Sequence, residues 1–278
     1  MDIFPLSVDA DIDALVARDL LVSAAREAGA LALEHFHAGG RTTARVVTKP
    51  GGSPVTDADL AADALLKRRL REALPDAGWL SEETVDDLER LTRRSLIIVD
   101  PIDGTRAFVI GDPRWCVSVA LIVDGRPVAG VVHAPALNET YAAARAKGAI
   151  FNGAPLAASS SWPPRNAAGP KLVIEAMAAD LGAPVEVVPR VPALAYRLCL
   201  AARGVIDFAI AAANSHDWDI AAADILLEEA GARLIDASGE RLRYNSREVG
   251  RSALLAASDG AAPRLINGFR AAIGSPPA

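Results

Sequence analysis

One hexapeptide constrains this chain more than any other feature. Asp100-Pro101-Ile102-Asp103-Gly104-Thr105 follows directly on the apolar run Leu96-Ile97-Ile98-Val99. Such a short aliphatic run reads as a buried strand. The strand delivers Asp100 to its C-terminal edge, where a carboxylate leaving water needs a cation, a proton or several donors. Pro101 stiffens the turn, Asp103 brings a second carboxylate close, Gly104 lets backbone approach a ligand, and Thr105 adds a hydroxyl. Carboxylates bind hard cations such as Mg²⁺. A helix opening near Thr105 would also turn free N–H groups toward an anion. One turn therefore offers a metal half and a phosphate half.

Around this turn the spacing predicts a layered α and β protein. Val16, Leu20, Ala24, Ala28 and Leu31 recur at helical spacing, giving a first helix from about Asp11 to Ala38 that Gly39-Gly40 ends. His35 and His37 stand two apart, point to different faces, and read as surface residues. Thr48 to Pro54 is a Gly- and Pro-rich loop, expected to be mobile. Thr56 opens a second helix through about Leu74, with Asp59 placed as in a capping box. Trp115 to Val123 and Val128 to Ala134 flank the hairpin turn Asp124-Gly125. Thr140 to Ala144 and Ala149 to Phe151 are weaker strands, so this half reads as helices on a largely antiparallel sheet.

Ala157 to Pro170 reads as a linker. Beyond it the pattern alternates: strand Leu172 to Ala176, helix Pro192 to Arg203, strand Val205 to Ala211, helix Ile220 to Ala230, strands Arg233 to Asp236 and Leu254 to Ala257, helix Pro263 to Ile273. The expected organisation is an N-terminal α+β domain over 1–156, carrying the antiparallel sheet and most candidate ligands. A C-terminal α/β domain over 157–278 would supply Asp219 and the substrate pocket.

Composition narrows the function classes. A net charge of −6 argues against coating nucleic acid, which needs a basic face. It leaves small phosphorylated substrates open. No 18-residue apolar run predicts a membrane span, and no basic, apolar leader is recognisable. Cys116 and Cys199 suit neither a disulfide scaffold nor a zinc site, and a cytoplasmic location is the expectation.

Two more acidic points could complete the site. Glu82-Glu83 follows Trp79-Leu80, and Asp217-Trp218-Asp219 precedes a helix containing Ala221, Ala222 and Ala223. Those alanines would let that helix approach another element closely. Taken singly, Glu82-Glu83 reads as a solvated pair, Asp59 and Asp219 read as helix caps, and Asp100 with Asp103 could be a turn. Their co-occurrence, order and spacing carry the argument.

Val55-Thr56-Asp57-Ala58-Asp59, Ser81-Glu82-Glu83, Asp100 to Thr105 and Trp218-Asp219-Ile220-Ala221-Ala222 together resemble the inositol monophosphatase superfamily of Mg²⁺-dependent, lithium-sensitive phosphomonoesterases. The resemblance implies an alternating α/β/α/β/α sandwich, usually a homodimer, and two or three Mg²⁺ ions. By that resemblance Glu82, Asp100 and the Ile102 carbonyl would hold one metal. Asp100, Asp103 and Asp219 would hold a second, and Asp59 would hold a water on a third. Thr105 would orient or help deprotonate the attacking water, assisted by Glu82, and the Gly104 and Thr105 amides would take the phosphate. Lys49 falls where the family has a mobile loop. The implied chemistry is in-line displacement between two metals. A metal-dependent binding protein without turnover is the contrasting reading. The presence of Asp59, Glu82, Asp100, Asp103, Thr105 and Asp219 together speaks against it.

For substrate, three details resemble the 3′(2′),5′-bisphosphate nucleotidase branch, which acts on 3′-phosphoadenosine 5′-phosphate. These are Leu80-Ser81 before the glutamates, basic Arg106 after Thr105, and acidic Asp217 before Trp218. The glutamate that inositol monophosphatases place seven positions before the Trp-Asp aspartate is here Ala212. A site built to bind ring hydroxyls loses discrimination without that partner. Tyr196 and Arg197 could reach a 5′-phosphate or a base, or be no more than a half-buried tyrosine and an exposed arginine. Inositol-1-phosphate, or a related polyol or sugar phosphate, is the alternative.

Overall fold

In the computed structural model, residues 13–274 are described. Five layers alternate. Helices α1 (Ala14–Leu33) and α2 (Asp57–Ala73) form the first, with a small two-stranded arm, β1 (Val46–Thr48) and β2 (Pro54–Thr56), between them in sequence. The second layer is a seven-stranded sheet in simple sequence order. It comprises β3 (Gly78–Ser81), β4 (Ser95–Asp103), β5 (Cys116–Val123), β6 (Arg126–Ala134), β7 (Glu139–Ala144), β8 (Ala149–Phe151) and β9 (Ala154–Pro155). Only β3 and β4 run parallel; every other neighbouring pair is antiparallel. A short helix α3 (Thr105–Ile110) follows β4.

The second half contributes β10 (Asn166–Ala168), α4 (Lys171–Leu181), β11 (Glu186–Val187), α5 (Leu194–Ala202), β12 (Phe208–Ala211), β13 (Ser215–His216), α6 (Asp217–Glu229), β14 (Ala232–Ile235), β15 (Gly250–Arg251), β16 (Leu254–Ser258) and α7 (Ala262–Gly274). Its main sheet has the order β11-β10-β12-β16-β14. The α/β/α/β/α sandwich expected from the sequence is present.

Strand periodicity explains the layering. On β4, Ile97 and Val99 pack with Leu21, Leu66 and Leu70 of α1 and α2, whereas Leu96 and Ile98 pack on the other face with α5 and α6. On β12, Ala209 and Ala211 join that same central cluster, and Phe208 and Ile210 face α4 and α7. Helix α6 is therefore covered by a sheet on each side, which is why Ile220 to Leu227 is buried almost all round. Its alanines allow the close approach expected of them. A Cβ on Gly130 of β6 would stand 2.6 Å from Ile225 Cγ2 and 2.8 Å from the Ala222 carbonyl oxygen.

Two expectations fail. Leu172 to Ala176 is not a strand but the first half of α4. Its apolar run mimics one, but Ile174 and Met177 are the buried pair at i and i+3, and Gly182 closes the helix in the left-handed conformation. The supposed linker Ala157 to Pro170 contains β10, an interior strand paired on both sides through Ala167. Three small or polar residues carry no hydrophobic alternation to announce it. The first helix also ends at Leu33, short of Ala38. His35 then sits in the following turn, with Nδ1 3.3 Å from Thr43 Oγ1.

Candidate active site

Strand β4 carries its sheet pairing as far as Asp103, with an irregular register between Asp100 and Asp103. That irregularity lets both carboxylates leave the sheet on the same side of the turn. Gly104 then adopts φ +89°, and a Cβ there would meet the Ala193 Cβ at 3.2 Å. Glycine is required on both counts. Helix α3 opens at Thr105, as the sequence suggested.

Asp219 arrives from the first turn of α6, where its Oδ2 accepts the backbone N–H of His216 at 2.6 Å. Asp100, Asp103 and Asp219 thereby converge: one carboxylate oxygen from each lies within 4.8 Å of the others. Asp100 and Asp103 are buried. Asp103 is fixed by the N–H groups of Leu194 and Ala195 at the start of α5, at 3.1 and 2.6 Å.

Electrostatics make this cluster receptive to cations. Burial, reinforced by Glu82, Asp103, Asp219 and Asp59, pushes the Asp100 carboxyl well above the usual range. Burial raises Asp103 to about 7 against the pull of the two α5 amides. Burial and the Asp103 charge raise Asp219 to about 8. Three acids that resist ionisation together, offering only hard oxygen donors, fit a divalent cation of the Mg²⁺ type.

Asp59 stands on α2 beside the cluster. Its Oδ2 accepts from Thr56 N at 2.8 Å and Thr56 Oγ1 at 2.5 Å, completing the expected capping box. Its other oxygen lies 3.1 Å from Thr105 Oγ1, which is itself 3.0 Å from the Ile102 carbonyl. Burial raises this acid to about 6. Lys49, on the arm, bridges the two glutamates, 2.9 Å from Glu82 Oε1 and 2.8 Å from Glu83 Oε1. Burial pulls the Lys49 ammonium down, but both carboxylates together raise it. Glu82 thus lies near enough to affect Asp100, with its side chain tied to Lys49 rather than to the three aspartates.

Arg106, Asp217 and Ala212, which bear on the choice of substrate, are spread. Arg106 is exposed and donates to the Gly52 carbonyl, pinning the arm to α3. Asp217 is fully buried, with one oxygen accepting Arg251 Nε at 2.6 Å and the other without a hydrogen-bond partner among the described residues. Ala212 lines a cavity of about 480 Å³ that also takes in Arg197, Arg190 and Lys171.

One residue escaped the sequence reading. Asp63 is buried on α2, one turn after Asp59, and accepts Ser81 Oγ at 2.5 Å and Thr84 Oγ1 at 2.7 Å. These bonds brace both sides of Glu82-Glu83. The signal available was the i, i+4 spacing from Asp59, which puts both acids on one helix face. Asp63→Ala is expected to raise the Mg²⁺ concentration for half-maximal activity about tenfold, with Asp63→Asn intermediate. A titration of activity against Mg²⁺ checks this, and an unchanged midpoint would mean that Glu82 needs no such brace.

The comparisons with known proteins agree with this geometry. The model of the inositol monophosphatase family matches residues 16–272. The chain is 31% identical to inositol monophosphatase 3 of Solanum lycopersicum over 83% of this chain and 90% of that one. It is 37% identical to a histidinol-phosphatase of Mycobacterium tuberculosis, over 76% and 85% of the two chains. It is 32% identical to the 3′(2′),5′-bisphosphate nucleotidase CysQ of Escherichia coli, over 83% and 94%. Among solved structures, an IMPase of Thermotoga maritima superposes with a TM-score of 0.77 at 26% identity, covering 92% of this chain and 97% of that one. With its acidic triad and its α/β/α/β/α sandwich, the chain belongs to the inositol monophosphatase family and has the metal-dependent phosphomonoesterase activity typical of it.

Proposed function

We propose that the protein removes the 3′-phosphate of 3′-phosphoadenosine 5′-phosphate. The cavity beside the triad carries this reading. Arg190, Arg197 and Lys171 line it with no carboxylate, and Ala212 stands where a ring-hydroxyl acceptor would be needed. Arg197 lines the cavity and its guanidinium favours the ionised form of Asp103, which supports a link between the cavity and the acidic triad. Its Nε is buried without a hydrogen-bond partner among the described residues. A buried donor in a cationic pocket calls for an anion. A second phosphate on the substrate supplies one. The neutral ring of inositol-1-phosphate does not, and the amine of histidinol phosphate would be repelled.

In this reading Asp100, Asp103 and Asp219 hold Mg²⁺, joined by Glu82 and the Ile102 carbonyl, with two or three ions engaged in all. When bound, such ions would supply Lewis-acid polarisation of the phosphoryl group and stabilise the charge that develops on displacement. The remaining work falls to the chain. The Gly104 and Thr105 amides hold the phosphoryl oxygens. Thr105 Oγ1 receives a proton from the attacking water and passes its own to Asp59 Oδ1. The α5 amides fix Asp103, and Asp63 fixes the segment carrying Glu82. Arg197 and Arg190 anchor the distant 5′-phosphate and so set the 3′-phosphate in line, where positioning contributes most.

Phosphate release from 3′-phosphoadenosine 5′-phosphate, inositol-1-phosphate and histidinol phosphate, each with Mg²⁺ and with EDTA, tests the reading. The nucleotide should be preferred. Arg197→Ala should raise its KM by about 10- to 100-fold, a loss expected for a charge-assisted contact, and change the KM for inositol-1-phosphate far less, the shared loss of support for Asp103 falling on both substrates alike. A preference for either other substrate, insensitive to Arg197, would overturn it.

A further inference from the structure

Arg90 has no part in the chemistry above, yet it is only 1% exposed and belongs with Trp115 among the largest fully buried side chains. An arginine is rarely buried so deeply unless its charge and donors are matched. Here they are. Nε and Nη2 donate to Asp86 Oδ2 at 3.0 and 2.7 Å, and Nη1 donates to Asn245 Oδ1 at 3.2 Å and to the Ser246 carbonyl at 2.9 Å. Asn245 answers with its own amide, donating to the Arg90 and Arg93 carbonyls at 3.1 and 3.2 Å. The stem of Arg90 lies hard against β3, where a Cβ on Gly78 would stand 2.9 Å from Arg90 Cβ. Two segments 155 residues apart are thereby fastened together.

Each segment leads to an acid of the site. Asp86 and Arg90 close the loop that follows Glu82-Glu83, whose near side Asp63 braces through Ser81 and Thr84. On the other side, Asn245 and Ser246 open a strap that runs to Arg251. Along it the Val249 carbonyl accepts the Asp217 N–H at 2.9 Å, Gly250 pairs with His216, and Arg251 Nε donates to Asp217 Oδ1 at 2.6 Å. His216 N–H is in turn held by Asp219 Oδ2. The strap therefore grips the first turn of α6, the turn that presents Asp219.

We propose that Arg90 and Asn245 form a positioning clasp that sets Glu82 against Asp219 for Mg²⁺ binding. Both act through the segments they join, since their hydrogen bonds go to Asp86, Ser246, Arg93 and each other. The proposal rests on the reading that Glu82 joins the three aspartates at the metal, and it is independent of which ester is hydrolysed. Acids that repel one another must be held at fixed spacing before a cation arrives. Partners that fix metal ligands from outside commonly contribute about 10- to 100-fold in affinity. A clasp one layer further out is expected to contribute about three- to tenfold.

Calorimetric titration of the full chain with Mg²⁺ alone tests it, with the melting temperature in EDTA measured beside it. Asn245→Gly is the mildest variant. Asn245 has φ +64°, which glycine adopts freely, and Arg90 keeps Asp86 and the Ser246 carbonyl, so no buried charge is left unpaired. It should weaken Mg²⁺ binding about three- to tenfold. Arg90→Lys keeps the charge but loses the fork, and should weaken binding at least as much. Glu82→Gln should weaken binding by itself, and adding Asn245→Gly to it should cost much less than in the wild type, because the clasp acts on the placement of Glu82. A clasp that served only the fold would lower the melting temperature and leave Mg²⁺ affinity unchanged. That result in both Asn245→Gly and Arg90→Lys, or a loss that simply adds to that of Glu82→Gln, would overturn the clasp alone. An affinity that Glu82→Gln does not move would overturn the metal reading, and the clasp with it.

Discussion

Asp100→Asn is expected to eliminate phosphate release, by about 10³-fold or more, while leaving the protein folded. Asp100 is one of three acids whose carboxylate oxygens lie within 4.8 Å of one another, and it is the most deeply buried of them. Losing one charge-stabilising group of an active site commonly costs about 10²–10³ in rate, and here a cation's anchor is lost as well. The fold should survive for a physical reason. In the metal-free protein Asp100 is a buried acid whose charge is opposed by Glu82, Asp103, Asp219 and Asp59. Replacing it with a neutral isostere relieves that repulsion. Asn can still accept the Ile102 N–H that Asp100 Oδ1 accepts at 3.1 Å. In EDTA the variant should therefore melt at or above the wild-type temperature. Activity measured beside melting distinguishes the cases. Full activity would remove Asp100 from the site, and a lowered melting temperature in EDTA would mean the carboxylate serves the fold instead.

Mg²⁺ should raise the melting temperature of the wild type by about 5–10 °C over EDTA. Glu82, Asp100, Asp103 and Asp219 carry four negative charges when ionised, and two Mg²⁺ ions cancel them. A ligand at about 100 times its Kd adds about 2.7 kcal/mol, and a chain of this size gains about 2–4 °C per kcal/mol. The effect has a defined pH dependence. Asp103 and Asp219 are raised in the fold, to about 7 and about 8, from an ordinary value of 3.8. Each favours its protonated form in the folded state. Without metal, the stability they contribute is full below about pH 4 and is lost as pH rises through 7 and 8. The bound cation removes that loss. The gap between Mg²⁺ and EDTA should therefore widen from pH 5 to pH 8, and thermal melts across that range check it. A constant gap would place the bound ion away from these two carboxylates.

Much of this site was legible because its residues sit in short, ordered motifs. Asp100 and Asp103 are three apart on one turn, Asp59 completes a capping box, and Asp219 opens an alanine-rich helix. Arg197 and Asp63 were harder to judge. An arginine in a helical stretch is ordinarily solvated, and only the packing of α5 between two sheets buries its Nε beside Asp103. Asp63 looks like any surface acid on a helix until β3 places Ser81 against it. Asp217 belongs with them. Its place before Trp218 resembled the nucleotidase branch, but nothing in the sequence announced its buried pairing with Arg251.

Local order also explains the fold errors. Leu172-Val173-Ile174 is apolar and, at Val173 and Ile174, β-branched enough to resemble a strand, whereas Ile174 and Met177 pack with α7 at helical spacing. Strand β10 owes its existence to its neighbours, since Asn166-Ala167-Ala168 has little propensity of its own.

The sequence by itself determined the buried strand β4 and the acid-bearing turn that follows it, because those residues are close in the chain, and the resemblance of its motifs to a known family implied the layer order and the carboxylates that would hold a cation. The tertiary structure alone decided how Asp219 reaches Asp100 across more than a hundred residues, what becomes of Asp217, and which arginines line the cavity beside Ala212. Burial and charge pairing arise only when distant segments pack, and they turn a list of acids into a site.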